Sequence, residues 1–229
     1  MNTASLVSNP PYNMKWTLPP EEATSFRFSQ CEIPPENNAN FAFILTGLAK
    51  VSGRAVFLLP NGVLTTANAK ELAIKKYLID SGLISAVVAL PEKMFESTSI
   101  PVCLVVFDKQ NTASNVVFVD LRQQCETEER KQRGQYGNAS HTNRTYVKKV
   151  AVISDVIRDQ VVRLLDERGD MPTFAALVSC SDIAANGYNL SPSCYISDDT
   201  ERVKHRNLED IVEDLNRIVT LRNILKLVM

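Results

Sequence analysis

The chain has 229 residues, of which 45% are hydrophobic and 22% are charged, the composition of an ordinary folded domain with a sizeable core. Its 25 basic and 26 acidic residues give a net charge of −1, which excludes a uniformly basic nucleic-acid binder and leaves only a local basic patch. Five scattered cysteines without a C-x-x-C pair indicate a reducing cytoplasm, and two distant histidines predict no metal site.

The first 125 residues alternate predicted strands and helices, and none of their apolar runs is long enough for a membrane helix. A short strand ending at Val7 runs into the turn at residues 9–12, and a polar loop continues to residue 37. A helix with an apolar stripe follows and ends at Ser52 and Gly53. The stripe is Phe41, Ile44, Leu45 and Leu48.

Four short apolar runs have the length and composition of strands buried in a sheet. They are residues 54–59, 84–90, 102–107 and 116–119. A helix between the first two runs opens at Asn68-x-x-Glu71, which is typical of a capping box, and ends at Gly82. The alternation predicts an α/β sheet with crossover helices, and the polar turn between the last two runs favours an antiparallel pair at its edge.

Beyond residue 125 the chain changes in character. Residues 126–153 are predicted as a basic insertion, in which the stretch 130–149 has six basic side chains and no acidic one. These side chains are Arg130, Lys131, Arg133, Arg144, Lys148 and Lys149. Basic side chains interleaved with tyrosines are candidates for contacts with nucleic-acid phosphates, and a solvated insertion without that role explains the same pattern.

Two further segments complete the chain. Residues 154–197 are predicted as a peripheral helix, capped by Ser154, followed by an irregular segment from residue 178 onward. Residues 198–229 are predicted as one long amphipathic helix that packs against another helix, in this chain or in a partner. Its apolar stripe is Leu208, Ile211, Leu215 and Ile218.

The tetrapeptide Asn9-Pro10-Pro11-Tyr12 stands where ligands of α/β sheets bind, after a strand. The amide oxygen of Asn9 and the carbonyl of Pro10, which the proline ring holds rigid, can both accept hydrogen bonds from one planar NH2 group. The ring of Tyr12 offers a face on which a base can stack. An ordinary loop turn explains the four residues equally well when they are considered alone.

Three further stretches follow the tetrapeptide in order, namely residues 53–64 (GRAVFLLPNGVL), 90–104 (LPEKMFESTSIPVCL) and 182–192 (DIAANGYNLSP). Together the four closely resemble the N6-adenine DNA methylase family, and within it the modification (M) subunit of type I restriction-modification systems. The resemblance covers about residues 6–196. It implies a Rossmann-like methyltransferase sheet that uses S-adenosylmethionine, followed here by a C-terminal helical extension.

The resemblance also implies roles for individual residues. The target adenine would be flipped out of double-stranded DNA, with Asn9 and the Pro10 carbonyl holding its N6 amine. Tyr12 would stack on the base, and Phe95 matches an aromatic position that packs against it. The implied protein partners are the specificity subunit and the restriction subunit.

The chain departs from the family pattern at its amino end. Family members place a glycine-rich loop and an acidic residue, which bind the methyl donor, well before the tetrapeptide, whereas eight residues precede Asn9 here and no G-x-G occurs. We therefore expect a sheet that is incomplete in its N-terminal half, no assigned cofactor-binding residue, and a fragment that could pair with a separate N-terminal M fragment.

Two other functions stay open at this point. Methyltransferases acting on protein glutamine or RNA adenine present a similar NH2 group to the same kind of loop, although the stretches around Phe95 and Tyr188 argue against them. A non-catalytic remnant that only binds DNA or a partner is the other, and the missing donor loop favours it for the chain alone.

Overall fold

A computed structural model describes residues 3–95, 100–133 and 145–196, together with positions 212, 214 and 216–218. The chain divides into two compact units, Met1–Ser197 and Asp198–Met229, and the sheet and its helices belong to the first. Among the described residues, no helix combines the length and the apolar character needed to cross a membrane.

Eight strands and four α-helices are formed by the described residues of the first unit. The strands are β1 (Thr3–Ser8), β2 (Val51–Pro60), β3 (Ile84–Ala89), β4 (Val102–Asp108), β5 (Asn115–Asp120), β6 (Glu126–Arg133), β7 (Thr145–Val152) and β8 (Ala175–Ser179). The helices are α1 (Asn40–Lys50), α2 (Ala69–Asp80), α3 (Asp155–Glu167) and α4 (Cys180–Ala185).

Six of these strands form the central sheet in the order β1-β2-β4-β3-β5-β8. The pairs β1–β2 and β3–β5 are parallel, β4 runs antiparallel between β2 and β3, and β8 is antiparallel to β5. The predicted α/β sheet with crossover helices is confirmed. The predicted antiparallel edge pair of β4 and β5 is wrong, because their connection crosses the start of β3, where the Asn111 side chain donates to the Gly82 carbonyl at 2.8 Å.

The sheet buries both of its faces, and its strands alternate between two hydrophobic clusters. The first cluster contains the apolar side of α1, residues of α2 and Ile183 of α4, and the second lies under α3. Strand β4 shows the alternation, since Cys103 and Val105 belong to the first cluster and Val102 to the second. The apolar runs of the sequence are continuous because both faces are covered.

Helix α1 confirms the apolar stripe predicted from the sequence, since all four of its stripe residues are buried in the first cluster. A Cβ on Gly47 would come within 2.6 Å of the Phe57 ring and 2.7 Å of Leu6, so this glycine permits the close approach of helix and sheet. The helix passes directly into β2 at Val51. Gly53 therefore lies inside the strand and does not end the helix.

The described residues of the segment 154–197, which was predicted as a peripheral helix and an irregular segment, contribute side chains to both hydrophobic clusters. The apolar side of α3 packs on the second cluster as the sequence pattern indicates, and Ser154 caps the helix. The part predicted as irregular, from residue 178 onward, instead supplies the last two residues of β8 and the whole of α4, and Ile183 and Leu190 are buried in the first cluster. Strand β8 was not predicted from the sequence because its five residues, AALVS, show no clear alternation of apolar and polar side chains.

The basic insertion contributes a separate antiparallel pair of strands, β6 and β7, in which Glu126 pairs with Val152 and Arg133 with Thr145. Residues 134–144 lie outside the described residues. In the C-terminal unit, Leu208, Ile211 and Leu215 also lie outside them, and Ile218 is 61% exposed. The packing of the tail stripe and the predicted segment boundaries stay predictions.

A buried lysine lies beneath the loop that follows β2. The Lys75 side chain is 2% exposed and its Nζ donates to the Leu64 carbonyl at 2.9 Å, where the Leu190 amide also donates. Glu71, one turn earlier on α2, is buried and accepts from the Thr66 hydroxyl at 2.5 Å. Burial lowers the pKa of Lys75 to about 8, against a smaller opposing effect of Glu71.

We expect Lys75 to make stability rise with pH. Between its folded pKa of about 8 and its ordinary value of 10.5, the unfolded chain keeps a proton that the folded chain has released. Relative to Lys75→Met, which cannot titrate, the wild type should gain about 2 kcal/mol of unfolding free energy from pH 7 to 10. Urea unfolding of both proteins measures this, and parallel pH profiles would contradict it.

Candidate target-base site

Four strands end at one edge of the central sheet. Ser8 lies beside Phe57 in the parallel pair β1–β2, and Ala89 lies beside Asp120 in the parallel pair β3–β5. The segments that leave these strands therefore emerge at the same edge, where β4 begins. The Asn61 amide, just after β2, donates to the Pro101 carbonyl at 3.1 Å and so joins the end of β2 to the start of β4.

The tetrapeptide forms the turn that leaves β1 at this edge. Pro10 is buried, whereas Asn9 and Pro11 are exposed and Tyr12 is half-buried. The Tyr12 hydroxyl donates to Asn9 Oδ1 at 2.8 Å, which sets the direction of the amide oxygen. Burial, with a smaller effect of Cys103, raises the pKa of Tyr12. The phenol therefore stays protonated near neutral pH and remains the donor of this hydrogen bond.

A buried asparagine of α1, Asn40, forms hydrogen bonds with the residue that follows the tetrapeptide. The Asn40 side chain is 1% exposed; its Oδ1 accepts from the Asn13 amide and its Nδ2 donates to Asn13 Oδ1, both at 3.1 Å. Asn13 follows Tyr12 and has a φ of 53°, a left-handed conformation that asparagine tolerates. The sequence analysis did not identify Asn40 as a residue that supports the turn.

We expect Asn40→Ala to destabilise the chain by about 1–3 kcal/mol, because the substitution removes both side-chain hydrogen bonds to Asn13. The exposed Asn37 offers a matched control in the same loop, and Asn37→Ala should change stability by less than about 0.5 kcal/mol. Urea unfolding measures both variants. Equal stability of the two would show that the amide pair does not anchor the turn.

The two aromatic residues proposed to contact the base lie on one side of the sheet. Tyr12 and Phe95 are both half-buried against the second hydrophobic cluster, together with Met94. Phe95 belongs to the loop after β3, in which Lys93 has a φ of 61°. The Lys93 carbonyl accepts from the Ala151 amide at 3.1 Å, which ties the aromatic loop to β7. Residues 96–99 lie outside the described residues.

The described glycines do not form a cradle for S-adenosylmethionine. Gly47 and Gly53 serve close packing, the latter with its Cβ position 2.6 Å from the Ala4 carbonyl. Gly82 and Gly187 have positive φ values after α2 and α4. None of the described glycines lies in a glycine-rich loop between a strand and a helix, so the residues that the structure describes do not fit the donor.

The basic residues singled out from the sequence are distributed unevenly. Arg130 and Lys131 lie on β6, and Lys148 and Lys149 lie opposite on β7. The side chain of Arg133 and the whole of Arg144 lie outside the described part of the chain. Three acidic residues of β6, Glu126, Glu128 and Glu129, accompany them, so this hairpin is mixed in charge.

The chain is similar to methylase subunits of type I restriction enzymes. It is 29% identical over 219 residues to the MjaVIII methylase subunit of Methanocaldococcus jannaschii, covering 93% of this chain and 35% of that protein. It is 24% identical over 220 residues to the MpnII methylase subunit of Mycoplasma pneumoniae, covering 91% of this chain and 37% of that protein. The chain thus spans about a third of the length of these relatives.

The fold has a counterpart among solved structures. A type I restriction-modification methyltransferase subunit from Streptococcus thermophilus matches with a TM-score of 0.72 and 28% identity, over 86% of this chain and 38% of that one. The profile of the family described as N-6 DNA Methylase matches residues 1–204. The resemblance carried by the tetrapeptide and the three later stretches is thereby confirmed, and the chain belongs to the N-6 DNA methylase family.

Proposed function

We propose that this chain is part of the modification subunit of a type I restriction-modification system and presents a target adenine for S-adenosylmethionine-dependent methylation at N6. The observation that carries the proposal is the turn after β1, where the Asn9 amide oxygen is directed by the Tyr12 hydroxyl at 2.8 Å. The relatives, all type I methylase subunits, support DNA as the substrate and do not favour protein glutamine or RNA.

The residues of the turn can hold an adenine amine in two ways at once. Asn9 Oδ1 and the Pro10 carbonyl are acceptors, and an exocyclic amine has two hydrogens to donate. An amide oxygen has two lone pairs, so the amine can bind beside the Tyr12 hydroxyl or replace it. Pro11 lacks an amide hydrogen that could compete for these acceptors.

The aromatic residues supply the stacking surface that an extruded base requires. Tyr12 and Phe95 are half-buried against the same cluster, so each keeps part of its ring accessible at the carboxyl edge of the sheet. Stacking of a base on an aromatic side chain contributes about 1–3 kcal/mol. A base between or beside these rings would have its amine near Asn9.

The methyl donor would be held by residues other than those described. Strand β1 is the last strand of the described sheet on its side, so one of its backbone edges has no partner strand among the described residues. This edge can pair with a further strand, and a separate N-terminal M fragment carrying the glycine-rich loop is the partner that suits it. Double-stranded DNA, the specificity subunit and the restriction subunit complete the proposed assembly in the cytoplasm.

The proposal is tested by mixing the chain with a complementary polypeptide that carries the glycine-rich loop and measuring tritiated methyl transfer. We expect label in an adenine-containing duplex, and none in RNA or in a glutamine-containing protein. The exposed-site variant Asn37→Ala should behave as the wild type. Transfer to glutamine or to RNA in preference to the duplex would overturn the proposed substrate.

A further inference from the structure

A cleft of about 420 Å³ opens beside the loop that carries Phe95. It lies between the segment after β3, the segment after β5 and the strand β7. Its charged lining residues are Glu92, Lys93, Arg122 and Lys149. Three cations therefore face one carboxylate in a cavity large enough for a phosphate group and its solvent.

Lys149 is held in a weak, exposed ion pair that a phosphate can replace, whereas Arg122 is held by the Asp120 carboxylate, whose side chain is 14% exposed. Lys149 is 72% exposed and lies 4.0 Å from a carboxylate oxygen of Glu129. Exposed pairs of this kind contribute at most about 1 kcal/mol. A phosphate diester offers arginine a bidentate partner and lysine a charged oxygen.

The position of the cleft links it to the target-base site. Lys93 comes two residues before Phe95, and its carbonyl bonds to the Ala151 amide of β7, which also lines the cleft. Arg122 follows β5 and so emerges at the edge where the Asn9 turn leaves β1. A nucleotide extruded toward Phe95 would bring its own backbone to this side of the sheet.

We propose that this cleft binds a DNA backbone phosphate next to the extruded nucleotide, through Lys93, Arg122 and Lys149. The inference rests on the proposed function, and it adds Lys93 and Arg122 to the residues proposed to bind DNA. Among those of the six basic residues whose side chains the structure describes, Lys149 alone lines the cleft. Phosphate binding there would also brace the Phe95 loop through the Lys93–Ala151 bond.

The test compares two double variants that remove equal charge. Lys93→Gln with Lys149→Gln removes two cations of the cleft, and Lys50→Gln with Lys109→Gln removes two exposed cations at the opposite edge of the sheet. Binding of a short fluorescein-labelled DNA duplex is followed by anisotropy at several salt concentrations. Lys93→Arg with Lys149→Arg keeps both charges and serves as the conservative pair.

We expect the cleft variant to weaken binding roughly tenfold at about 0.1 M salt and to lower the salt slope by about 0.9, the contribution of one phosphate contact. The opposite-edge variant and the arginine pair should bind as the wild type does, and Arg122→Gln should weaken binding in the same direction. Unchanged thermal unfolding confirms that all variants are folded.

Two results overturn the inference, and they are distinguishable. If both double variants lose affinity equally, or neither does, the cleft is not the phosphate site, although the wild-type chain still binds DNA as the proposed function requires. If the wild-type chain does not bind the duplex at low salt, both the proposed DNA-binding function of this chain and the proposed phosphate site in the cleft are wrong.

Discussion

Asn9→Ala should lower methyl transfer to DNA by on the order of 100- to 1,000-fold, which is the cost of removing one preorganised hydrogen-bonding group from a reacting centre. Asn9 Oδ1 is the acceptor proposed for the adenine amine, and the turn fixes it through the Tyr12 hydroxyl at 2.8 Å. The measurement is tritiated methyl transfer to an adenine-containing duplex by the chain with a complementary polypeptide. Asn37→Ala is the matched control.

Two more substitutions distinguish the contribution of the Asn9 oxygen acceptor from that of the Tyr12 hydroxyl that directs it. Asn9→Asp keeps an oxygen acceptor and should lose less activity than Asn9→Ala. Tyr12→Phe keeps the stacking ring but removes the hydroxyl that directs Asn9, so we expect a loss of about tenfold or less, near the 1.4 kcal/mol that one hydrogen bond contributes. If Asn9→Ala retained the activity of Asn37→Ala, the amide oxygen would have no part in holding the amine.

The sheet was predictable wherever both of its faces are covered. The runs that became β2, β3, β4 and β5 are continuous apolar stretches, a pattern that a doubly covered sheet imposes and that a sequence displays directly. Strand order is different, because it depends on where connections cross. The position of β4 is defined by its antiparallel pairing with β2 and β3, and the connection to β5 then crosses the start of β3, where Asn111 donates to the Gly82 carbonyl.

The missed elements are those whose identity depends on tertiary packing. Strand β8 is five residues long and is defined by its pairing with β5. The burial of Lys75 was also invisible, since lysine on a helix is ordinarily solvated, and it follows from the Leu64 carbonyl lying directly above it. Both cases show a local sequence preference being overridden by the surrounding fold.

The target-base site stays a prediction, and the sequence did not show the residues that support its turn. The order of the tetrapeptide and the Phe95 stretch indicated a shared pocket, and the structure packs Tyr12 and Phe95 against one cluster. Asn40 lies 27 residues beyond Asn13, and no sequence pattern predicts a hydrogen bond between side chains so far apart in the chain. Likewise, Lys93 and Arg122 meet at the cleft only because β3 and β5 are parallel neighbours.

The chain alone should bind S-adenosylmethionine with a dissociation constant above about 1 mM, equivalent to less than about 4 kcal/mol of binding free energy. The donor's ribose and carboxylate need a backbone cradle, and the described glycines are isolated from one another, with Gly47 and Gly53 in close packing and Gly82 and Gly187 in turns. Asn9 and Pro10 can orient an acceptor amine, but their acceptor oxygens are directed by Tyr12 and the proline ring toward that role.

Calorimetric titration of the purified chain with S-adenosylmethionine measures this dissociation constant directly. The same titration in the presence of a complementary polypeptide carrying the glycine-rich loop is the positive control. We expect micromolar binding to appear only in the second titration, and DNA methylation to appear with it, because a donor misplaced by about 1 Å can cost roughly 100-fold in rate. Asn9→Ala should leave the donor affinity of the mixture unchanged while lowering transfer. Micromolar binding by the chain alone would show that residues assigned here to packing also form the donor site.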